Sequence, residues 1–304
     1  MKLATTTGEV QLFAPTMAEA LELYTGTGFR YLDYSFYDVL ALPNCPFMTD
    51  AWKEDILKTK EKARELGFTF VQAHAPNCAI IGEGSDVGLA STIRSIEACG
   101  MLGIHNMVIH TAFTKDCLYP QDRKKYYDAN RPFLTALIPY MEKYDVSILL
   151  ENTCSQHTNG TYFPITGEDL VNMAEDLNHP LFGVMWDIGH AHMQGLDHHD
   201  ELVTMSKYLK ALHVHDNNGE KDQHLIPYLG TANFDSLMRG IIDSGYQGYF
   251  TFESVNFISY NMRKRFKDEN SRLYHPTKEV KRAALALMYQ IGKSMLEAYG
   301  LFEE

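Results

Sequence analysis

The sequence predicts an α/β chain folded as one closed (β/α)8 barrel. Eight short runs rich in apolar and β-branched residues recur along the 304 residues, with amphipathic segments between them. No low-complexity tract, long charge run or Pro/Ser linker divides the chain. Strands that alternate with helices imply parallel βαβ units, and eight such units imply closure. The structural alternative, an open doubly wound sheet, lacks the GxGxxG expected after its first strand. A single domain over residues 1–304 is therefore expected, with a C-terminal helical extension at about 276–304.

The first strand is read at Lys2–Thr6, and "TMAEALELYTGTG" after it has helical spacing and a glycine stop. The second strand, Phe29–Tyr34, precedes the long amphipathic stretch "DAWKEDILKTKEKARELG". Strand three, Thr69–His74, leads to "GLASTIRSIEACGMLG", and strand four, Asn106–His110, to "RPFLTALIPYMEKYD". Strand five, Val146–Glu151, precedes "TGEDLVNMAEDL", and strand six, Phe182–Asp187, precedes "HDELVTMSKYLK". Strand seven is placed at Ala211–His215, followed by "NFDSLMRGIIDSG"; strand eight is Gly248–Glu253. A last helix from about Pro276 to Tyr299 closes the chain.

Composition narrows the function classes. The formal charge of −12 argues against a protein-wide attraction to nucleic acid or to an anionic membrane. No apolar run reaches the roughly 18 residues of a membrane span, and "MKLATTTGEVQLF" has no secretory h-region. The five cysteines, Cys45, Cys78, Cys99, Cys117 and Cys154, include no CxxC pair. They suit buried thiols in a reduced cytoplasm better than a disulfide framework. The sequon at Asn159 carries little weight in such a chain.

Thirteen histidines are many, and they cluster. Six successive strands, from the third to the eighth, end on a metal-ligand type: His74 in "VQAHAP", His110 in "MVIHT", Glu151 in "ILLENT", Asp187 in "GVMWDIGH", His213 in "ALHVHD" and Glu253 in "YFTFES". In a parallel barrel all strand C-termini open onto one face, so these six side chains should converge. Loops add His190, and the segment "LHVHDNNGEKDQHLIPYLG" adds His215, Asp222 and His224. One histidine at a strand end is ordinarily a hydrogen-bonded structural residue, and one acid there a helix cap. Those explanations predict no pattern across strands, and burying so many ionisable groups without cations would be costly. Imidazole with carboxylate and no thiolate suits Zn²⁺, Mn²⁺, Fe²⁺ or Co²⁺ rather than Ca²⁺.

Together "AHAP", "ENT", "DIGHAH", "LHVHDNNGEKDQHLIPYLG" and "FTFES" resemble the xylose isomerase-like TIM-barrel superfamily of sugar-phosphate isomerases and epimerases, to which endonuclease IV is related. The resemblance implies a core site of Glu151, Asp187, His213 and Glu253 around one divalent ion (Mn²⁺, Zn²⁺ or Co²⁺), with Glu151 and Glu253 doubling as acid and base. It also implies that His74, His110, His190, Asp222 and His224 match the further zinc ligands of the endonuclease branch. They serve either additional ions or the hydroxyls of a substrate. His215 is expected to be a substrate-binding or supporting group rather than the core ligand. A homodimer is implied by the same resemblance.

Two chemistries fit these residues, a ketose isomerase or epimerase working through an enediolate, and a hydrolase or lyase on the same metal site, including phosphodiester cleavage. A non-catalytic sugar-binding or metal-binding relative is a third reading. The loop "SFYDVLALPNCPFMTD" carries no Arg or Lys, and "APNCAIIG" lacks the wedge residues of a loop that enters a duplex. Phe36, Tyr37 and Phe47 suit either stacking on a sugar or a packed lid. A small sugar is thus the expected partner, without nucleic acid or membrane, and one ion is expected to be held tightly. Lys115, Lys221 and Arg263–Arg265 are candidate phosphate anchors or simply solvated charge.

Overall fold

The computed structural model describes residues 1–42, 45–112, 114, 116–154, 164–258 and 276–304. Lys115, Asn159 and the run Arg263–Arg265 lie outside the described residues. Eight parallel strands form the sheet: β1 Leu3–Thr6, β2 Tyr31–Ser35, β3 Thr69–His74, β4 Asn106–Ile109, β5 Ser147–Glu151, β6 Phe182–Asp187, β7 Leu209–His213 and β8 Phe250–Phe252. Each pairs with its neighbours in chain order, and β1 also pairs with β8. A single parallel bridge, Val214 to Phe252, joins the last gap, with Val214 N donating to Thr251 O at 2.8 Å and Glu253 N to Val214 O at 3.0 Å. The expected barrel is present.

Helices wrap the outside: α1 Met17–Ala20, α2 Trp52–Leu66, α3 Ser85–Leu102, α4 Arg123–Tyr144, α5 Gly167–Leu177, α6 Ile188–Met193, α7 His198–Thr204, α8 Phe234–Ser244 and α9 Lys278–Ala298. Left-handed glycines at Gly67, Gly103 and Gly245 stop α2, α3 and α8. Strand seven lies two residues earlier than expected, ending at His213 and leaving His215 beyond it, and three helix readings also need correction. Helix α4 begins at Arg123, eight residues before "RPFLTALIPYMEKYD", and runs through Pro132 and Pro139. Its first turns are tied down by Arg123 on Asp169 and by Asn130 Oδ1 accepting from Ala112 N. Helix α7 stops at Thr204, because Leu209 and Lys210 already belong to β7. The segment Ile188–Met193, expected to be loop, is helix α6, with Asp187 as its N-cap.

The main core lies between barrel and helices, with Trp186, Tyr24, Tyr126, Phe36 and Phe250 among its largest buried side chains. A second, smaller core of Val108, Leu149, Met185 and Ala211 is separate from it. These four come from β4, β5, β6 and β7 and fill half of the barrel interior. Side chains two residues apart share a face of a strand. The residues two further on, His110, Glu151, Asp187 and His213, therefore rise from the interior floor toward the open end. Across the barrel the same layer is polar, made of Thr5, Asp33, Gln72 and Thr251, all buried. That asymmetry bears on the site above it.

Candidate active site

The structure brings the ten expected ligand and supporting residues together at the C-terminal mouth of the barrel. Ligand atoms of Glu151, Asp187, His213 and Glu253 lie within 4.8 Å of one another, as do those of His74, Glu151 and His213. A third group of the same compactness is His190, His215, Asp222 and His224. His110 joins through Nε2, 2.8 Å from Glu151 Oε2, while His74 Nε2 stands 3.4 Å from the same oxygen. In the middle group His213 Nδ1 is 3.3 Å from Glu151 Oε1 and 3.5 Å from Glu253 Oε2.

The hydrogen bonds on the far side of each ring say which nitrogen faces the cluster. Nδ1–H of His74 donates to Ala75 O at 2.8 Å, that of His190 to Asn152 O at 2.9 Å, and that of His224 to Glu253 O at 2.8 Å. Each backbone carbonyl accepts only, so each ring keeps its proton there and turns Nε2 toward the carboxylates. His213 is arranged the other way round, with Nε2–H on Asp33 Oδ2 at 3.0 Å and Nδ1 toward the glutamates. Lone pairs of neutral imidazoles facing carboxylates repel, unless protons or cations lie between them.

The charge balance makes the same demand. Burial alone would depress His213, yet Glu253, Asp33 and Glu151 hold it well above the ordinary histidine value. Burial likewise opposes a charge on His190, but Asp187 and Asp222 outweigh it and raise that group strongly. His224 is also desolvated, and Asp222 nevertheless pushes it up to about 10. Among the acids, burial favours the neutral form of Asp187, but His190 and His215 bring it down to about 2. Glu151, opposed by the same burial, is held well below the carboxylate range, chiefly by His110.

These features fit a divalent ion. Donors bonded to one metal at roughly 2.0–2.2 Å sit roughly 3.0–3.5 Å apart, which matches the separations around His213 Nδ1. Oδ1 of Asp222 and Oε2 of Glu151 are buried without a hydrogen-bond partner among the described residues. The close approaches of His110 and His74 to that Glu151 oxygen are not aligned as hydrogen bonds. Such orphaned acceptors call for an ion or water.

Local sequence explains how the loops hold their positions. Asn152, next to Glu151, accepts from Asp187 N at 2.6 Å and donates to Asp187 O at 2.9 Å, locking β5 to β6 at the site. Asp187 Oδ1 caps α6 through His190 N at 2.7 Å. After β7, the Asp216 carboxylate accepts from the N–H groups of Asn217, Gly230 and Ala232 and folds the loop back on itself. That return presents Asp222 and His224, the latter at φ 48°. His215 stacks on His224, with ring centroids 3.9 Å apart, and its Nε2 lies 3.0 Å from both Asp187 oxygens. A Cβ on Gly189 would come within 1.9 Å of the His215 ring, so only glycine allows this packing.

The aromatic residues separate. Phe36 and Phe47 are buried, their rings 4.9 Å apart, and belong to the core. Tyr37 alone of the three stands at the mouth, edge-on to His74 and His110 at 5.1 and 5.9 Å. Burial and then the nearby Glu253 push its hydroxyl up to about 12. Asp33 is a buried neighbour of His213 that the pattern of strand-end ligands does not include. Its signal was a lone acid inside the strand "YLDYS".

Comparison with known proteins agrees with this architecture. An uncharacterised protein of Methanocaldococcus jannaschii is 28% identical over 164 residues, 53% of this chain and 55% of that protein. Fructoselysine 3-epimerase of Escherichia coli O157:H7 is 30% identical over 122 residues, 40% of this chain and 43% of the epimerase. The matches thus span about half the length of these curated relatives. Among solved structures, the IOLI protein with a bound zinc atom superposes with a TM-score of 0.74 at 17% identity, covering 100% of both chains. A sequence profile described as "Xylose isomerase-like TIM barrel" matches residues 22–282. The chain belongs to the xylose isomerase-like TIM-barrel family.

Proposed function

We propose that this protein is a divalent-metal-dependent isomerase or epimerase of a small sugar, acting through an enediolate with Glu151 and Glu253 as acid and base. The observation that carries the reading is the convergence of Glu151, Asp187, His213 and Glu253, ligand atoms within 4.8 Å, on one unsatisfied, carboxylate-rich point. An ion of Mn²⁺, Zn²⁺ or Co²⁺ there would act as a Lewis acid on a ketose carbonyl and its neighbouring hydroxyl. The remaining work falls to the chain. Glu151 and Glu253 come from β5 and from the end of β8, three strands apart, and so address a bound sugar from different sides. One carboxylate takes the proton from the carbon beside the carbonyl. The other returns a proton to the opposite face, or the first returns it to the neighbouring carbon. Tyr37, His110 and His224 line the mouth where sugar hydroxyls and an apolar ring face would lie. The similarity to a fructoselysine 3-epimerase supports a sugar substrate. The proposal includes a cytoplasmic homodimer, for which the five free cysteines and the family resemblance speak.

A second reading rests on one observation. The groups around Glu151/His74 and around Asp222/His190/His224 flank the central one, and three ions would suit a phosphodiester hydrolase. Two measurements together decide between them, metal content per chain and turnover. One tightly held ion, and uptake of solvent deuterium at the carbon next to the carbonyl of a ketose, are expected. Three stoichiometric zinc ions with cleavage of an abasic-site oligonucleotide would replace the first reading by the second.

A further inference from the structure

Resting on the metal site proposed above, we propose that Asp33 is a positioning residue that fixes the ring of His213, so that Nδ1 and not Nε2 meets the ion. The floor of the barrel beneath the site is apolar along β4–β7 but polar along β8, β1, β2 and β3. In that polar half Asp33 is fully buried. Its Oδ2 accepts from His213 Nε2 at 3.0 Å and from Gln72 Nε2 at 2.9 Å, and Gln72 Oε1 accepts from Thr251 Oγ1 at 3.2 Å. Three strands thus brace one imidazole from below.

The backbone is adjusted for this contact. The register of β2 on β3 shifts between Leu32 and Asp33, from Leu32 opposite Phe70 to Asp33 opposite Gln72. Skipping Val71 turns Gln72 toward Asp33, as bulges re-aim side chains elsewhere. Asp33 Oδ1 has no hydrogen-bond partner among the described residues. A carboxylate buried with donors on only one oxygen is costly. A cation on the opposite nitrogen of His213 would offset that cost. His74, His190 and His224 are tied through Nδ1 to backbone carbonyls, which are neutral. His213 is tied through Nε2 to a charge, so its bond to an ion at Nδ1 is both oriented and strengthened.

The test compares the full-length protein with Asp33→Asn, both stripped of metal and titrated with Zn²⁺ against a chromophoric chelator. The substitution keeps the shape and removes the charge, and Kd should rise about 10–100-fold with circular dichroism unchanged. In ¹⁵N-histidine spectra of the zinc-loaded protein, His213 should carry its proton on Nε2. Equal affinities, or zinc on Nε2, would overturn this inference and leave the site standing. If Glu151→Gln binds zinc as the unaltered protein does, the site reading itself falls, and this inference with it. Should Asp33→Asn fail to fold, Gln72→Met decides, since it removes the brace but keeps the charge. It should weaken binding several-fold, and unchanged affinity would count against the proposal.

Discussion

Glu151 is the residue on which two of the three ligand groups depend, because its oxygens face different partners. Oε1 lies toward His213, and Oε2 toward His110 and His74. Glu151→Gln replaces one of those acceptors by a donor amide inside a buried cluster of nitrogens. Turnover should fall by at least about 10²-fold, the loss typical of a missing acid or base, and metal retention should weaken with the fold intact. Elemental analysis after gel filtration, alongside a ketose assay, checks this, and a fully active variant would sink the assignment. His215→Ala should behave differently. His215 meets the central group through Asp187, so one tightly bound ion should remain there, and its loss would make His215 a ligand. The ligand residues were legible in the sequence because strand parity repeats: an acid or histidine ends one strand after another, each on the inward face. Asp33 was not legible. A lone acid within an apolar strand has the same local sequence whether it faces the helices or the barrel axis, and a register shift decides which.

At the scale of elements, the contact between α6 and the loop after β7 sets the second half of the site. Gly189 lies in α6, and a Cβ there would stand 1.9 Å from the His215 ring. Gly189→Ala should therefore cost about 1–3 kcal/mol through overpacking and displace His215 from Asp187. Adding His215→Ala should recover part of that loss, since the clash needs both side chains. Urea denaturation of the two single variants and the double variant measures the coupling, and strictly additive costs would show that no clash exists. The same element shows where sequence reading ran short. "DIGHAH" is too brief to display helical periodicity, and its helix is created by the Asp187 cap, whose carboxylate is also in the cluster. Pro132 hid the start of α4, because a proline ordinarily reads as a first turn or a break. Here the turns before it are secured by contacts to residues distant in sequence, Ala112 in the segment after β4 and Asp169 in α5.

For the whole molecule, stability against acid depends in part on a buried group that must stay uncharged, His198. His198, on α7, is 1% exposed and accepts at Nδ1 from Trp186 Nε1 at 3.3 Å. Burial, with a smaller contribution from His192, brings it down to about 4. In the unfolded chain it titrates near the ordinary value of about 6.5. Between those two values the unfolded state binds a proton that the folded state refuses, so stability rises with pH across the window. Above about 6.5 the contribution is complete. As pH falls toward 4 the protein loses it progressively, about 3 kcal/mol in all, since each pKa unit corresponds to roughly 1.4 kcal/mol. His198→Asn can still offer an oxygen to Trp186 but has no proton to take up. Its unfolding free energy should run below that of the parent at neutral pH and converge toward it, or cross it, as pH falls from 6.5 to 4. Because every other titrating group is common to both proteins, the difference between the two curves isolates His198. Parallel curves over that range would mean that His198 titrates alike in both states, and that its burial places no demand on the fold.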